Sequence, residues 1–413
     1  MATRKKVTAR PSTGLPPPTP IRRLGRVHSL MVAGEAAMTI ALADSLFLSV
    51  SPDAARSKVV LFLAVSMAPF IIVAPFVGPM IDRIRGGQRM VVIAVGLLRA
   101  LVLVGMTQVL DSFTLFPLAF SALILSKTYA ISKSAIIPTI INDDDEFVAA
   151  NSKLGQIAGI TGFVVAIPAG LLQLIDARLC LGLGVIAYLF ASLNAYRLPK
   201  TVIAAKPAEK LEIEELHSPE VLRAAIAMRV LRGTVGFNFF HLAFWLRGEA
   251  AGTLWFGLAI SLSGLATLGA NFVGPHVRRR MREQWMMVGS MCFVGVVGVI
   301  AAFSGRIVAG IALAASVNAA AAICRLAFES VVQSGAPDAN RGRAFSKFET
   351  QNQIAWVIGG LIPVIFSPAG WFGFACMGAI GFAGALLYFK RPGGFTTPRG
   401  ALTKDRERQF HSE

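Results

Sequence analysis

Charge is scarce in this chain: only 15% of its 413 residues are charged, and only 23 are acidic. A soluble domain commonly places about a quarter of its residues as charges on its surface, so an ordinary water-soluble enzyme or binding module is excluded. Cysteine is scarcer still. Cys180, Cys292, Cys324 and Cys376 all fall in apolar runs, with neither metal-ligand spacing nor a disulfide framework, and read as small buried hydrophobes. No nucleophile–base pair and no phosphate-cradling loop stands out, and Gly86-Gly87 lies in a hinge rather than between a strand and a helix. An enzyme is therefore not expected, nor is a cofactor or a metal. No apolar segment precedes a small-residue cleavage site near the start, so a secretory signal is not expected either.

What the chain has in abundance is apolar sequence, 54% of all residues. It comes in runs of about 20 residues, the length that crosses a bilayer as a helix. Twelve spans can be placed at 27–50, 58–81, 90–109, 113–133, 147–172, 178–196, 219–245, 252–276, 284–303, 307–333, 343–366 and 371–389. The expected fold is an all-α membrane protein. With the N-terminus inside, and with residues at span edges counted with the loops they adjoin, inner segments hold 27 of the 40 Lys/Arg and outer loops 5. That asymmetry is the positive-inside rule; it places both termini in the cytoplasm and the protein in the cell membrane. The net charge of +17 is then a topology signal, and nucleic acid is not an expected partner. Residues 1–26 read as a disordered basic tail near anionic headgroups, 27–197 as one six-helix bundle, 198–218 as a cytoplasmic linker, 219–390 as a second bundle and 391–413 as a cytoplasmic tail.

The two bundles are related. Val77-Gly78-Pro79-Met80-Ile81 aligns with Val273-Gly274-Pro275-His276-Val277, and Ser152-Lys153-Leu154 with Ser346-Lys347-Phe348, at offsets of 196 and 194. Each half therefore carries its own polar hinge between its second and third helices. The architecture implied is twelve transmembrane helices in two pseudo-symmetric six-helix bundles, a duplication typical of secondary transporters whose site lies between the repeats.

The first hinge, Gly78-Pro79-Met80-Ile81-Asp82-Arg83-Ile84-Arg85-Gly86-Gly87-Gln88-Arg89, resembles the signature loop of the major facilitator superfamily. Gly78, Asp82 and Arg83 match it, Arg89 takes the distal basic position, and about one residue is inserted between. The second copy keeps Gly274 but has Arg278 where the first has Asp82. Lys133–Pro138 followed by Ala150-Asn151-Ser152 is similar to the drug- and siderophore-exporter branch. The resemblance implies rocking of two halves about a central site, with Asp82 meeting the N-terminus of the eleventh span near Arg341 and Arg343 when the cytoplasmic side is closed.

Charges inside the spans point to the cavity. An ionisable group at mid-membrane costs about 2.5–3.5 kcal/mol on insertion scales, so each needs a partner, a wet cavity or a snorkelling route. At 1.5 Å per residue, Glu35, Arg99, Lys127, Arg229 and Arg325 reach a common depth of about 13–17 Å, with Arg232 deeper and Glu329 shallower. Arg325 and Glu329 are expected to pair at i, i+4. Arg229 and Arg232 share a face and call for an anion or for Glu35. Glu35 is the candidate proton carrier, because burial favours a neutral carboxylate and a nearby cation an ionised one. Asp44 sits near the outer end of its span, and His241 reads as packing rather than as a proton relay. The level is net basic, which favours a small amphipathic and anionic substrate. The resemblance to the drug- and siderophore-exporter branch implies proton-coupled export, and a monomer is expected. Uptake, lysophospholipid or lipid flipping, and a non-transporting sensor or scaffold stand as alternatives.

Overall fold

The computed structural model describes residues 19–42, 87–110, 112, 114–141, 143–199, 219–246, 252–335 and 341–390. Asp44, the span 58–81 and the hinge residues Gly78, Asp82 and Arg83 lie outside them, as does most of the 198–218 linker. Among the described residues the chain is all helical, with eleven α-helices, one 3-10 turn (Asp144–Glu146) and no strand. The helices are α1 (Pro20–Ala41), α2 (Gly87–Gln108), α3 (Leu115–Ile140), α4 (Phe147–Ile175), α5 (Ala177–Ala195), α6 (Pro219–Trp245), α7 (Gly252–Arg280), α8 (Glu283–Ser304), α9 (Ile307–Gly335), α10 (Arg341–Phe366) and α11 (Gly370–Lys390).

Eight of them are long and apolar enough to cross a membrane. The three described helices that fall short are α1, α6 and α10. They carry Glu35, the Arg229/Arg232 pair and Glu349, whose charges lower their mean hydropathy. On the other helices the outer faces are apolar: Leu101, Ile167, Phe303 and Leu386 all stand exposed, as bilayer-facing residues do.

Two helix boundaries differ from expectation, each for a local reason. α1 starts at Pro20, seven residues before the expected edge at 27, because proline suits the first helical position, where its missing N–H has no partner to lose. Arg22, Arg23 and Arg26 therefore ride on the first two turns of α1 rather than in the tail, and an Arg23 guanidinium nitrogen donates to the Arg197 carbonyl at 3.1 Å. α3 runs past Lys133 to Ile140, with Pro138 in its last turn. A proline there has no N–H to give to the carbonyl one turn back, that of Ser134. That freed acceptor is used by the other half of the molecule.

Packing repeats between the halves. In the first half α1 packs on α4 and α5, and α2 on α3 and α5. In the second half α6 packs on α10 and α11, and α8 on α9 and α11. Small residues set the closest approaches, as they do between membrane helices. A Cβ on Gly298 of α8 would run into the backbone of Gly378 on α11, and one on Gly359 of α10 into the Gly233 carbonyl on α6.

The described contacts between halves run mainly from α4 to α7 and α9, and from α3 to α9 and α10. At one end of the bundle they are polar and buried. Asn151 Nδ2 donates to Gln333 Oε1 at 2.6 Å, and Gln333 Nε2 donates to the freed Ser134 carbonyl at 3.3 Å. Gln156 Nε2 reaches the Asn271 carbonyl at 3.0 Å, and Ser152 Oγ donates to the same oxygen. Asn151 and Gln333 are 3% and 1% exposed, so opening this end strands amides unless water enters. Gln333→Leu is expected to favour the open arrangement by about 1–3 kcal/mol. The check is thiol labelling of a cysteine placed at buried Ser134: faster labelling in the Gln333→Leu background is expected, and an unchanged rate would show that the latch does not hold the halves together.

Candidate functional site

Just beyond this latch, a chamber of about 260 Å³ opens between α3 of the first half and α6, α9 and α10 of the second. Its wall holds four cations, Lys127, Lys133, Arg232 and Arg325, against two carboxylates, Glu329 and Glu349. Lys127 Nζ meets Glu349 Oε1 at 3.2 Å, an ion pair that joins the halves through the chamber itself. Both partners are about one-third exposed, so the pair is reachable from the cavity. Arg232 and Arg325 add to the positive field at Glu349. Phe328 and Phe348 meet edge to face, ring centroids 5.6 Å apart, and supply part of an apolar wall.

Of the residues singled out in sequence, the chamber gathers Lys127, Arg232, Arg325 and Glu329. Arg229 is not among its lining residues: its Nε turns back to the Ala225 carbonyl at 3.1 Å, one turn down its own helix. Arg325 and Glu329, expected to pair, close no ion pair among the described residues. Both face the chamber, where Glu329 acts on Lys133 across the halves. Two contributors had not been assigned a site role. Lys133 had been placed at a helix end, but α3 continues seven residues beyond it. Glu349 stands three and seven residues before Asn352 and Trp356, a polar-then-aromatic stripe on α10 that helical spacing could have exposed.

Glu35 takes a different partner from the one expected. Its Oε2 lies 3.3 Å from a guanidinium nitrogen of Arg99, which comes from α2 and is 0% exposed, while Ser126 Oγ donates to Oε1 at 2.8 Å. Arg99 also lies over the Tyr188 ring, 4.4 Å from its centroid, a cation–π contact inside the first half. Glu35 itself is 44% exposed along the face of α1 that carries Val32, Ala36, Thr39 and Ile40.

The hinge residues that are described act at the latch end. Arg89 donates to the Tyr196 and Leu198 carbonyls at 3.3 and 3.5 Å, where a cation suits the C-terminus of α5. Gly274 lets α7 lie against Leu326 of α9. Arg278, at the second hinge's counterpart of Asp82, bridges Asp145 at 2.7 Å and Glu283 at 3.0 Å. Asp145 belongs to the acidic run before α4, so the second hinge places its Arg278 against the acidic start of a helix. At the other end, His241 is 1% exposed, stacks on Trp245 and donates to the Gly370 carbonyl at 3.4 Å, a packing role.

A duplicated helical bundle with a charged chamber at the seam between its halves defines a membrane transporter rather than an enzyme. The family model of the Major Facilitator Superfamily matches residues 29–360, and the chain belongs to that family. Among curated relatives, an uncharacterized protein of Mycobacterium leprae (strain TN) is 26% identical over 402 residues, covering 87% of this chain and 69% of that one. An uncharacterized protein of Mycobacterium tuberculosis (strain ATCC 25618 / H37Rv) is 28% identical over 402 residues, covering 87% and 72%. Among solved structures, a bacterial homologue of the iron transporter ferroportin in its outward-facing state superposes with a TM-score of 0.69 at 16% identity. It covers 90% of this chain and 98% of its own. The human organic anion transporter MFSD10 (TETRAN) gives 0.66 at 15% identity, covering 90% and 100%. The likeness to these structures is one of fold.

Proposed function

We propose that this protein is a secondary transporter that exports a small amphipathic anion in exchange for protons, by rocking its two halves about the charged chamber. The observation that carries this is the excess of cations in the chamber: among the described residues that line it, Lys127, Lys133, Arg232 and Arg325 stand against Glu329 and Glu349. An anion placed there gains charge-assisted hydrogen bonds in a partly desolvated site, whereas a lipophilic cation meets repulsion. The chamber also lies where motion can act on it, since Lys127 and Glu349 belong to opposite halves.

The positive-inside bias makes the latch end cytoplasmic, so this arrangement is closed on the cytoplasmic side. Glu35 is the proposed proton carrier. It is half-exposed, hydrogen-bonded by Ser126, and set against a buried cation that also rests on an aromatic face. The fold neighbours include the Escherichia coli Fucose:proton symporter FucP, as well as the organic anion transporter MFSD10. This chain's own residues, rather than those likenesses, support an anionic substrate.

The test is transport of a permanently charged, membrane-impermeant anion, an ω-phenylalkyl sulfonate, in proteoliposomes with an imposed pH gradient. Movement of the sulfonate that depends on the gradient, and is lost in Arg325→Ala, is expected. Movement of lipophilic cations that Arg325→Ala leaves unchanged would contradict the anionic reading.

A further inference from the structure

A second chamber of about 220 Å³ lies wholly within the second half, among α6, α7, α9 and α10. It differs in chemistry from the first. Among the described residues no charged side chain lines it; Phe239, Phe256 and Trp356 supply aromatic walls, with Asn238 and Asn318 as the amides among them. Phe239 contacts both Phe256 and Trp356, with ring centroids 5.5 and 6.5 Å away. Asn238 is the anomaly. It is 3% exposed, and its Oδ1 is buried with no hydrogen-bond donor. An unsatisfied buried amide oxygen costs about 1–3 kcal/mol, which a ligand donor can recover.

The two chambers share three helices in register. On α6 Arg232 faces the charged chamber and Phe239, seven residues on, the aromatic one; on α10 the pair is Glu349 and Trp356; on α9 it is Arg325 and Asn318. Seven residues are two helical turns, so the chambers stand about 10 Å apart along one continuous stripe. Gly264, on the aromatic chamber's wall, faces Phe163 of the first half, which places that wall against the seam between the halves.

We propose that the aromatic chamber is a second subsite that holds the uncharged end of the substrate. The substrate is then an anion carrying an aromatic or apolar group about 10 Å from its charge, with a hydroxyl or amide N–H that donates to Asn238 Oδ1. This rests on the anion reading of the charged chamber and adds to it the length and the tail chemistry.

The experiment measures binding of three sulfonates to the purified full-length protein: methanesulfonate, 6-phenylhexanesulfonate and its 4-hydroxyphenyl analogue. Burying the phenyl group should tighten binding roughly 10- to 100-fold over methanesulfonate, and the phenol should add up to about tenfold more. Asn238→Leu, close in shape, should erase the phenol's advantage while leaving methanesulfonate affinity unchanged, the latter also showing that the variant is folded. Equal affinity for methanesulfonate and both aryl sulfonates overturns the subsite while the anion site stands. A phenol advantage that survives in Asn238→Leu overturns the role of Asn238. Failure of all three to bind overturns the charged-chamber reading and this inference with it.

Discussion

Replacing Glu35 with alanine is expected to destabilise the protein by about 3 kcal/mol, near the bottom of the range for stranding one member of a buried ion pair. The stranded partner is Arg99, 0% exposed, whose only described carboxylate is Glu35 at 3.3 Å. The Tyr188 face at 4.4 Å retains some of the attraction, which is why the lower end of the range applies. The reverse deletion should be milder. Arg99→Met leaves Glu35 44% exposed and still hydrogen-bonded by Ser126, so water can hydrate the carboxylate and the loss should stay under about 1 kcal/mol. Thermal unfolding in detergent reads both. Equal losses, or a larger loss for Arg99→Met, would show that the pair is not organised around the buried cation.

In the charged chamber two substitutions should move anion affinity in opposite directions. Arg325→Ala removes a cation and should weaken sulfonate binding by about 1.5–3 kcal/mol, roughly 10- to 150-fold. Glu349→Gln removes one of the two carboxylates that line the chamber, and with it a negative charge that repels the ligand anion. Affinity should then rise roughly tenfold, about the worth of one like charge removed from a partly screened site. Transport should nevertheless slow, because Glu349 also joins the halves and a tightly held anion leaves late. Titration calorimetry gives the affinities and vesicle flux the turnover. A loss of affinity in Glu349→Gln would mean that the carboxylate supports the site rather than competing for it.

Much of the fold was legible because a bilayer permits so few backbone solutions: apolar runs of the right length become helices. The repeat also surfaced, in the paired hinges and in the two Ser-Lys positions. Helix ends were harder to place, because Pro20 suits a first helical position, α3 continues through Pro138 with its freed carbonyl taken by Gln333, and the polar first turns of α1 carry no apolar signal. The site was half legible. Depth along each span picked out Lys127 and Arg325, and i, i+3 spacing set Arg229 on the face of Arg232; spacing does not fix a long side chain's course, and Arg229 Nε turns back to the Ala225 carbonyl while Glu35 meets Arg99. Arg99 supplies the clearest case: its depth is legible in sequence, but its pairing with Glu35 of another helix is set by packing. Asn151 stood in a flagged motif, yet its partner Gln333 lies 182 residues away, a pairing that only packing reveals.

Most directly, the central claim is tested by accumulation of 6-phenylhexanesulfonate in proteoliposomes across an imposed pH gradient. Such a charged anion should move against its own concentration gradient with the wild-type chain, collapse to equilibrium when the pH gradient is dissipated, and fail to accumulate with Arg325→Ala. Accumulation that is indifferent to the pH gradient would contradict proton coupling. No accumulation by the wild type, with intact protein in the vesicles, would contradict anion transport through the chamber.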